Sequence, residues 1–174
     1  HETTLEVNLN ALTDNLNYFR SKLRPETKVM SMVKAFAYGS GSVEVARSLQ
    51  HHRCDYLAVA VADEGAELRR EGIRIPIVVM NPEKGGFGLI FDNNLEPEIY
   101  SFRLLEAFIA EAAKIGVSDY PIHIKIDSGM HRLGFYTLSL HDALPIIGRA
   151  SCRERVIPDY RLKLIENNDI KLNM

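Results

Sequence analysis

Between Lys28 and Phe135 the chain repeats one unit: a short apolar run rich in β-branched residues, a turn, and an amphipathic stretch at helical spacing. Five such runs predict strands: Lys28 to Lys34 (KVMSMVK), Asp55 to Ala60 (DYLAVA), Ile75 to Met80 (IPIVVM), Glu96 to Tyr100 (EPEIY) and Pro121 to Asp127 (PIHIKID). Their near-continuous hydrophobicity fits burial on both faces, the habit of a parallel sheet. Helices are expected at about Val43 to His51, Ala62 to Glu71, Gly86 to Asn93 and Phe102 to Ile115. Ser42 and Ser101 are candidate N-caps, and Gly72 and Gly116 candidate stops. Short crossovers between such elements suit a singly wound barrel. Ahead of the repeat, Thr4 to Leu9 alternates as a half-exposed strand, and Asn10 to Leu23 reads as an amphipathic helix led by an Asn10 cap.

A (β/α)₈ barrel needs eight units and roughly 250 residues, whereas five barrel-type strands occur here before the pattern fails. The expected fold class is therefore α/β, a partial TIM (β/α)₈ barrel truncated after about five strands and occupying residues 1–136.

Two polar clusters end apolar runs in this pattern. In Val33-Lys34-Ala35-Phe36-Ala37-Tyr38-Gly39, a lysine closes the first run and is followed by small residues, a tyrosine and a glycine-rich turn into a helix. That arrangement suits a Schiff-base lysine beside a phosphate site. In Lys125-Ile126-Asp127-Ser128-Gly129-Met130-His131-Arg132-Leu133-Gly134-Phe135, a lysine and an arginine follow the fifth run. In a parallel sheet both clusters fall at the same end. A strand-end lysine ordinarily snorkels its amine to solvent, and a lone tyrosine ordinarily packs as an aromatic; it is the surrounding run that makes Lys34 and Tyr38 candidates for chemistry.

Composition narrows the partners. With 174 residues, 46% hydrophobic and 25% charged, the chain describes one ordinary folded domain. A formal charge of −2 and a pI near 6.3, with basic residues scattered among acids, give no sign of a nucleic-acid or anionic-membrane partner. A small substrate is expected. Cys54 and Cys152 form neither a metal-ligand spacing nor a disulfide framework, no metal site is expected, and no signal peptide or membrane-spanning run is visible. A reducing cytoplasm is the expected compartment. The chain opens on His1 without an initiator methionine, which reads as a cut through a longer protein.

After Phe135 the βα pattern stops. Thr137 to Ile146 (TLSLHDALPI) and Gly148 to Val156 (GRASCRERV) resemble translated sequencing-adapter readthrough more than any protein segment. Residues 137–174 are accordingly expected to be a non-family tail, artefactual or irregular, with Tyr160 to Ile165 strand-like only by alternation.

Residues 1 to about 136 resemble the N-terminal part of an alanine racemase, a fold-type III pyridoxal-phosphate enzyme with a TIM barrel and a separate β-domain. The resemblance rests on Val33 to Gly39, on Ala62-Asp63-Glu64-Gly65 after the second strand, on Asn81-Pro82 after the third, and on Lys125 to Gly134 after the fifth. The opening, His1 to Leu9, further resembles racemase domains fused downstream of a cell-wall ligase. The resemblance implies pyridoxal 5′-phosphate as cofactor and racemisation of L- and D-alanine for peptidoglycan synthesis by a homodimer. It implies that Lys34 is the catalytic and cofactor-binding lysine, that Tyr38 contacts the cofactor phosphate, and that Arg132 lies near both the cofactor and the substrate carboxylate. Many members carry a carbamate on the lysine matching Lys125, which makes Lys125 a carbamylation candidate. Ser40 stands where many members have histidine and is assigned no task; Asp127 is expected to support its loop, and His131 to be a surface or hydrogen-bonded histidine in place of a base.

The family's catalytic tyrosine for the opposite face of the substrate, the later barrel strands and the arginine facing the pyridine nitrogen are not in this sequence, so the chain alone is expected to be inactive. The principal alternative is a pyridoxal-phosphate homeostasis-type barrel that binds cofactor without racemising. A cofactor-free Schiff-base aldolase would not need Tyr38 and its glycine turn, and Gly85 to Gly88 lacks the trailing acid of a nucleotide-binding fingerprint.

Overall fold

The computed structural model describes residues 3–127 and 129–136, together with three short strands beyond them. The five expected strands are all present: β1 (Met30–Met32), β2 (Tyr56–Val59), β3 (Ile77–Val79), β4 (Glu96–Ile99) and β5 (Tyr120–Ile124). They pair in parallel and in chain order, with registers such as Met30 opposite Tyr56, Leu57 opposite Ile77 and Glu98 opposite His123. From the stretch 137–174 the structure describes only strands β6 (Cys152–Arg155), β7 (Lys163–Leu164) and β8 (Ile170–Lys171). Of these, β6 extends the sheet in parallel beside β5. The adapter-like run Thr137 to Ile146 lies outside the described residues.

Helices occupy the crossovers: α1 (Leu9–Lys22), α2 (Lys34–Tyr38), α3 (Ser42–His51), α4 (Ala62–Arg70), α5 (Phe87–Asp92) and α6 (Phe102–Lys114), with a 3₁₀ turn at Lys84–Gly86. Consecutive parallel strands joined by crossovers of one hand leave every helix on the same face of the sheet. That face carries the main core, where Leu57, Val59, Ile77, Val79, Ile99 and Ile122 meet the helices. Phe108 of α6 anchors it, edge-on to Phe87 at 5.1 Å and stacked on Phe91 at 4.9 Å between ring centroids. The other face holds a smaller cluster of Tyr56, Ala58 and Val78 with Met30, Met32 and Met80. Polar residues continue it across the sheet, because Glu96, Glu98 and His123 are also buried there.

The ends of the helices depart from expectation in detail. Ser101 does cap α6, its hydroxyl accepting the Leu104 N–H, and Gly72 and Gly116 take the positive φ that stops α4 and α6. For α1 the cap is Asn8 in place of Asn10: the Asn8 Oδ1 accepts the N–H groups of Asn10 and Ala11 at 3.0 and 3.1 Å. For α3 the cap position belongs to Gly41, and Ser42 is the first helical residue. The strand expected over Thr4 to Leu9 does not form; residues 3–8 are irregular and exposed, and Leu9 begins α1. Alternation alone cannot make a strand, since a lone extended segment leaves its N–H and C=O groups without a ladder.

Arg69 fastens two of these crossovers together. Its guanidinium donates to the carbonyls of Ile73 and Ile75 at 2.9 and 2.8 Å, and to those of Asn93 and Asn94 at 3.0 and 3.2 Å. One planar fork thus satisfies carbonyls before β3 and before β4, and no lysine could span them. Burial lowers its pKa from the ordinary arginine value, but the group stays charged at any working pH. Arg69→Ala is expected to cost about 2–3 kcal/mol of stability, read as a lower urea midpoint at unchanged slope. A midpoint equal to the parent chain's would show these carbonyl contacts to be dispensable.

Candidate functional site at the C-terminal rim of the sheet

Parallel strands deliver their C-terminal ends to one rim, and both polar clusters lie there. Lys34, half-buried, follows β1 directly after the buried Val33. The turn it opens, α2, is left-handed: Ala35, Phe36 and Ala37 have φ of 50°, 56° and 51°, and Tyr38 has 55°. Residues with a Cβ resist this region by roughly 1–2 kcal/mol each, so the turn needs external support. Part is internal, with the Ala37 N–H donating to the Val33 carbonyl and the Gly39 and Gly41 N–H groups both donating to Phe36. The rest comes from α4, where the Glu64 carboxylate accepts the Ala35 N–H at 2.7 Å and the Ala60 N–H at 2.7 Å. Tyr38 is 70% exposed at the end of the turn, and the chain then enters α3 through Gly39 and Gly41, both at positive φ. A half-buried amine, a phenol and a glycine turn feeding a helix N-terminus are a donor set that fits an aldehyde carrying a phosphate.

At the far side of the sheet, Lys125 follows β5 and its Nζ donates to the Glu98 Oε2 at 2.9 Å. Glu98 is 2% exposed. One layer below, the His123 Nε2 lies 2.6 Å from the Glu96 Oε2, with the Tyr56 ring edge-on to the imidazole. The His123 Nδ1 is buried without a hydrogen-bond partner. Beyond Lys125 the chain folds back on itself: the Phe135 N–H donates to the Lys125 carbonyl and the Asp127 N–H to the Phe135 carbonyl. Gly134 permits this closure, because a Cβ there would lie 2.6 Å from the Asp127 nitrogen and its φ is +128°. Arg132 is exposed at the tip of that loop.

Asp127 organises the loop, as expected for it. Its Oδ1 accepts the N–H groups of Gly129 and His131, each at 3.0 Å, and its Oδ2 lies 3.2 Å from the His131 Nδ1. The His131 and Gly129 N–H groups hold its pKa below the usual aspartate value of 3.8.

Lys34 and Lys125 share the rim but not a strand pair, since three strands separate β1 from β5. Exposed apolar side chains gather on the same rim: Phe36, Tyr38, Val61, Met130 and Tyr136. A concave groove of about 460 Å³ lies elsewhere, between α1 and β1, lined by Leu16, Phe19, Leu23, Met30, Met32 and Leu49 among others. It carries no candidate site residue. Sequence reasoning named Lys34, Tyr38, Lys125 and Arg132 but passed over Glu98, Glu96 and His123. The available signal was the two glutamates at alternate positions of EPEIY, a pattern that sets both carboxylates on one face of a strand.

These observations meet the comparisons with known proteins. Residues 7–156 match the family model described as alanine racemase, N-terminal domain. The chain belongs to that family. An alanine racemase of Thermodesulfovibrio yellowstonii is 42% identical over 135 residues, covering 75% of this chain and 36% of the relative. A serine/alanine racemase of Enterococcus gallinarum is 36% identical over 133 residues, covering 74% of this chain and 18% of the relative. Among solved structures, the alanine racemase of Clostridium difficile 630 in complex with cycloserine superposes with a TM-score of 0.81 at 33% identity, covering 89% of this chain and 44% of that one. The chain thus spans about a third of the length of the alanine racemase it resembles at 42% identity. Its α/β architecture, a run of parallel strands with helices in the crossovers, is that of the N-terminal barrel of this racemase family.

Because the folded pKa of Asp127 is depressed, its contribution to stability is fully present above the unfolded aspartate value and is lost as pH falls through the lower folded one. Amide exchange at Gly129 and His131 is therefore expected to stay protected at pH 5 and to lose protection only below the ordinary aspartate range. Protection in Asp127→Ala equal to that of the parent chain would contradict this account of the loop.

Proposed function

We propose that this chain is the cofactor-holding part of a pyridoxal-phosphate-dependent racemase that interconverts L- and D-alanine. The observation that carries the reading is the placement of Lys34 at the C-terminal end of β1, in a left-handed turn that leads through Tyr38 into a helix N-terminus. Bound there, the cofactor would supply the electron sink that makes an amino acid's α-proton removable. Lys34 would hold it covalently and, once freed by the incoming amine, take or return the α-proton on one face of the substrate. Tyr38 would donate its hydroxyl to the phosphate. Arg132 would bind the substrate carboxylate with its planar fork and approach the cofactor's phenolic oxygen.

A single base serves one face of the α-carbon, so efficient racemisation calls for a second proton-handling group from elsewhere, supplied in this reading by a second subunit. On its own the chain would bind cofactor and racemise poorly. The wider reading is a homodimeric cytoplasmic enzyme whose D-alanine enters peptidoglycan. Alanine is favoured as substrate, with serine the nearest competitor because one relative is named for both. The exposed apolar residues of the rim support a face that another protein surface covers.

Two experiments bear on these assignments. After incubation of the chain with pyridoxal phosphate and reduction with borohydride, peptide mapping is expected to find the label on Lys34, and Lys34→Ala is expected to lose it. Label spread over surface lysines, or retained in the variant, would overturn the reading. For Lys125 we propose carbamylation, and Glu98 opposes it, because the carbamate would set a second anion beside that buried carboxylate in place of its ammonium partner. With ¹³C-labelled carbon dioxide, the carbamate signal is expected to be stronger in Glu98→Gln than in the parent chain. No signal in either protein would remove the modification.

A further inference from the structure

We infer that Glu64 is a positioning residue for Lys34, a clamp that holds the lysine-bearing turn in the one conformation that presents its amine to the rim; the inference rests on the reading of Lys34 as the cofactor lysine. Glu64 is the third residue of α4, the place where a glutamate ordinarily reaches back to the N–H of its own helix's cap residue. Here the cap residue is Val61, and Glu64 bonds elsewhere. One carboxylate oxygen takes the Ala60 N–H just past β2, and the other crosses to the Ala35 N–H just past β1, 29 residues away in sequence. The carboxylate therefore ties the ends of two adjacent strands at the residue that follows Lys34.

Three observations make this more than a helix cap. The Ala35 amide belongs to the first of four consecutive residues at positive φ, none of them glycine, so its anchoring point is where the turn departs from ordinary geometry. Both oxygens are used at 2.7 Å on separate strands, a task that needs the carboxylate's two acceptors, whereas an amide keeps only one. Finally, α4 itself is held close: Gly65 packs where a Cβ would come within 2.7 Å of the Leu95 side chain, and Arg69 fastens the other end of the helix. The base of the clamp is therefore fixed, and its grip on Ala35 transmits that fixity to Lys34.

The test compares Glu64→Gln and Glu64→Ala with the parent chain in three readouts. Amide exchange at Ala35 and Ala60, without cofactor, reports the clamp itself. Borohydride-fixed labelling of Lys34 by pyridoxal phosphate reports oriented capture, and reductive methylation of Lys34 by formaldehyde reports the bare amine. Expected are faster exchange at Ala35, a loss of pyridoxal-phosphate labelling of about tenfold in Glu64→Ala with a smaller loss in Glu64→Gln, and unchanged methylation. Equal exchange at Ala35 in all three proteins, unchanged capture, or a parallel loss of both labels would overturn the inference. Should Glu64→Ala lose its helical circular dichroism, Glu64→Gln decides alone. If the parent chain takes no label at Lys34, the proposed function fails, while Ala35 exchange still decides whether the clamp exists.

Discussion

Parallel pairing of the strands is the constraint from which the rest of the molecule follows. An antiparallel ladder would scatter strand ends to both edges, but five parallel strands in chain order send every C-terminal end to one rim. Residues as distant in sequence as Lys34 and Arg132 come to the same rim for that reason alone. The helices, all on one face, supply the hydrophobic burial that keeps the ladder intact, and Phe108 with Phe87 and Phe91 gives that layer its centre.

The inner face of the sheet is organised differently from the outer one. Where the outer face is mainly apolar, the inner face passes from Met30, Tyr56 and Val78 to Glu96, Glu98, His123 and Lys125 as one crosses from β1 to β5. Buried carboxylates are tolerated there because each meets a nitrogen partner at hydrogen-bond distance, His123 for Glu96 and Lys125 for Glu98. The polar half of the face is also the half that ends beneath the Arg132 loop, whereas the run of four left-handed non-glycine residues follows β1.

Much of this was legible in the residues, and the exceptions share a cause. The strands from KVMSMVK to PIHIKID were readable because each is an uninterrupted apolar run bounded by turn residues, and α6 because its apolar positions recur at helical spacing after Ser101. Thr4 to Leu9 misled because alternation predicts a strand only where a partner exists. The cap of α1 moved from Asn10 to Asn8 because either asparagine satisfies the local rule, and the entry of the chain into the helix chooses between them. The left-handed turn was not legible at all: Ala35, Phe36, Ala37 and Tyr38 each prefer right-handed geometry, and only contacts from Phe36, Val33 and Glu64 impose the other hand.

By itself the sequence determined the order and parallel character of the strands, the helices in their crossovers and the family to which the chain belongs. It also singled out Lys34, Tyr38, Lys125 and Arg132, since periodicity and local motifs are properties of neighbouring residues. The tertiary structure alone decided that Glu64 grips the Ala35 amide, that Glu98 meets Lys125, and that Glu96 and His123 form a buried pair. Those contacts join residues 27 to 29 positions apart across adjacent strands. No local rule encodes them, because the register of the sheet and the closeness of its packing bring the partners within hydrogen-bonding distance.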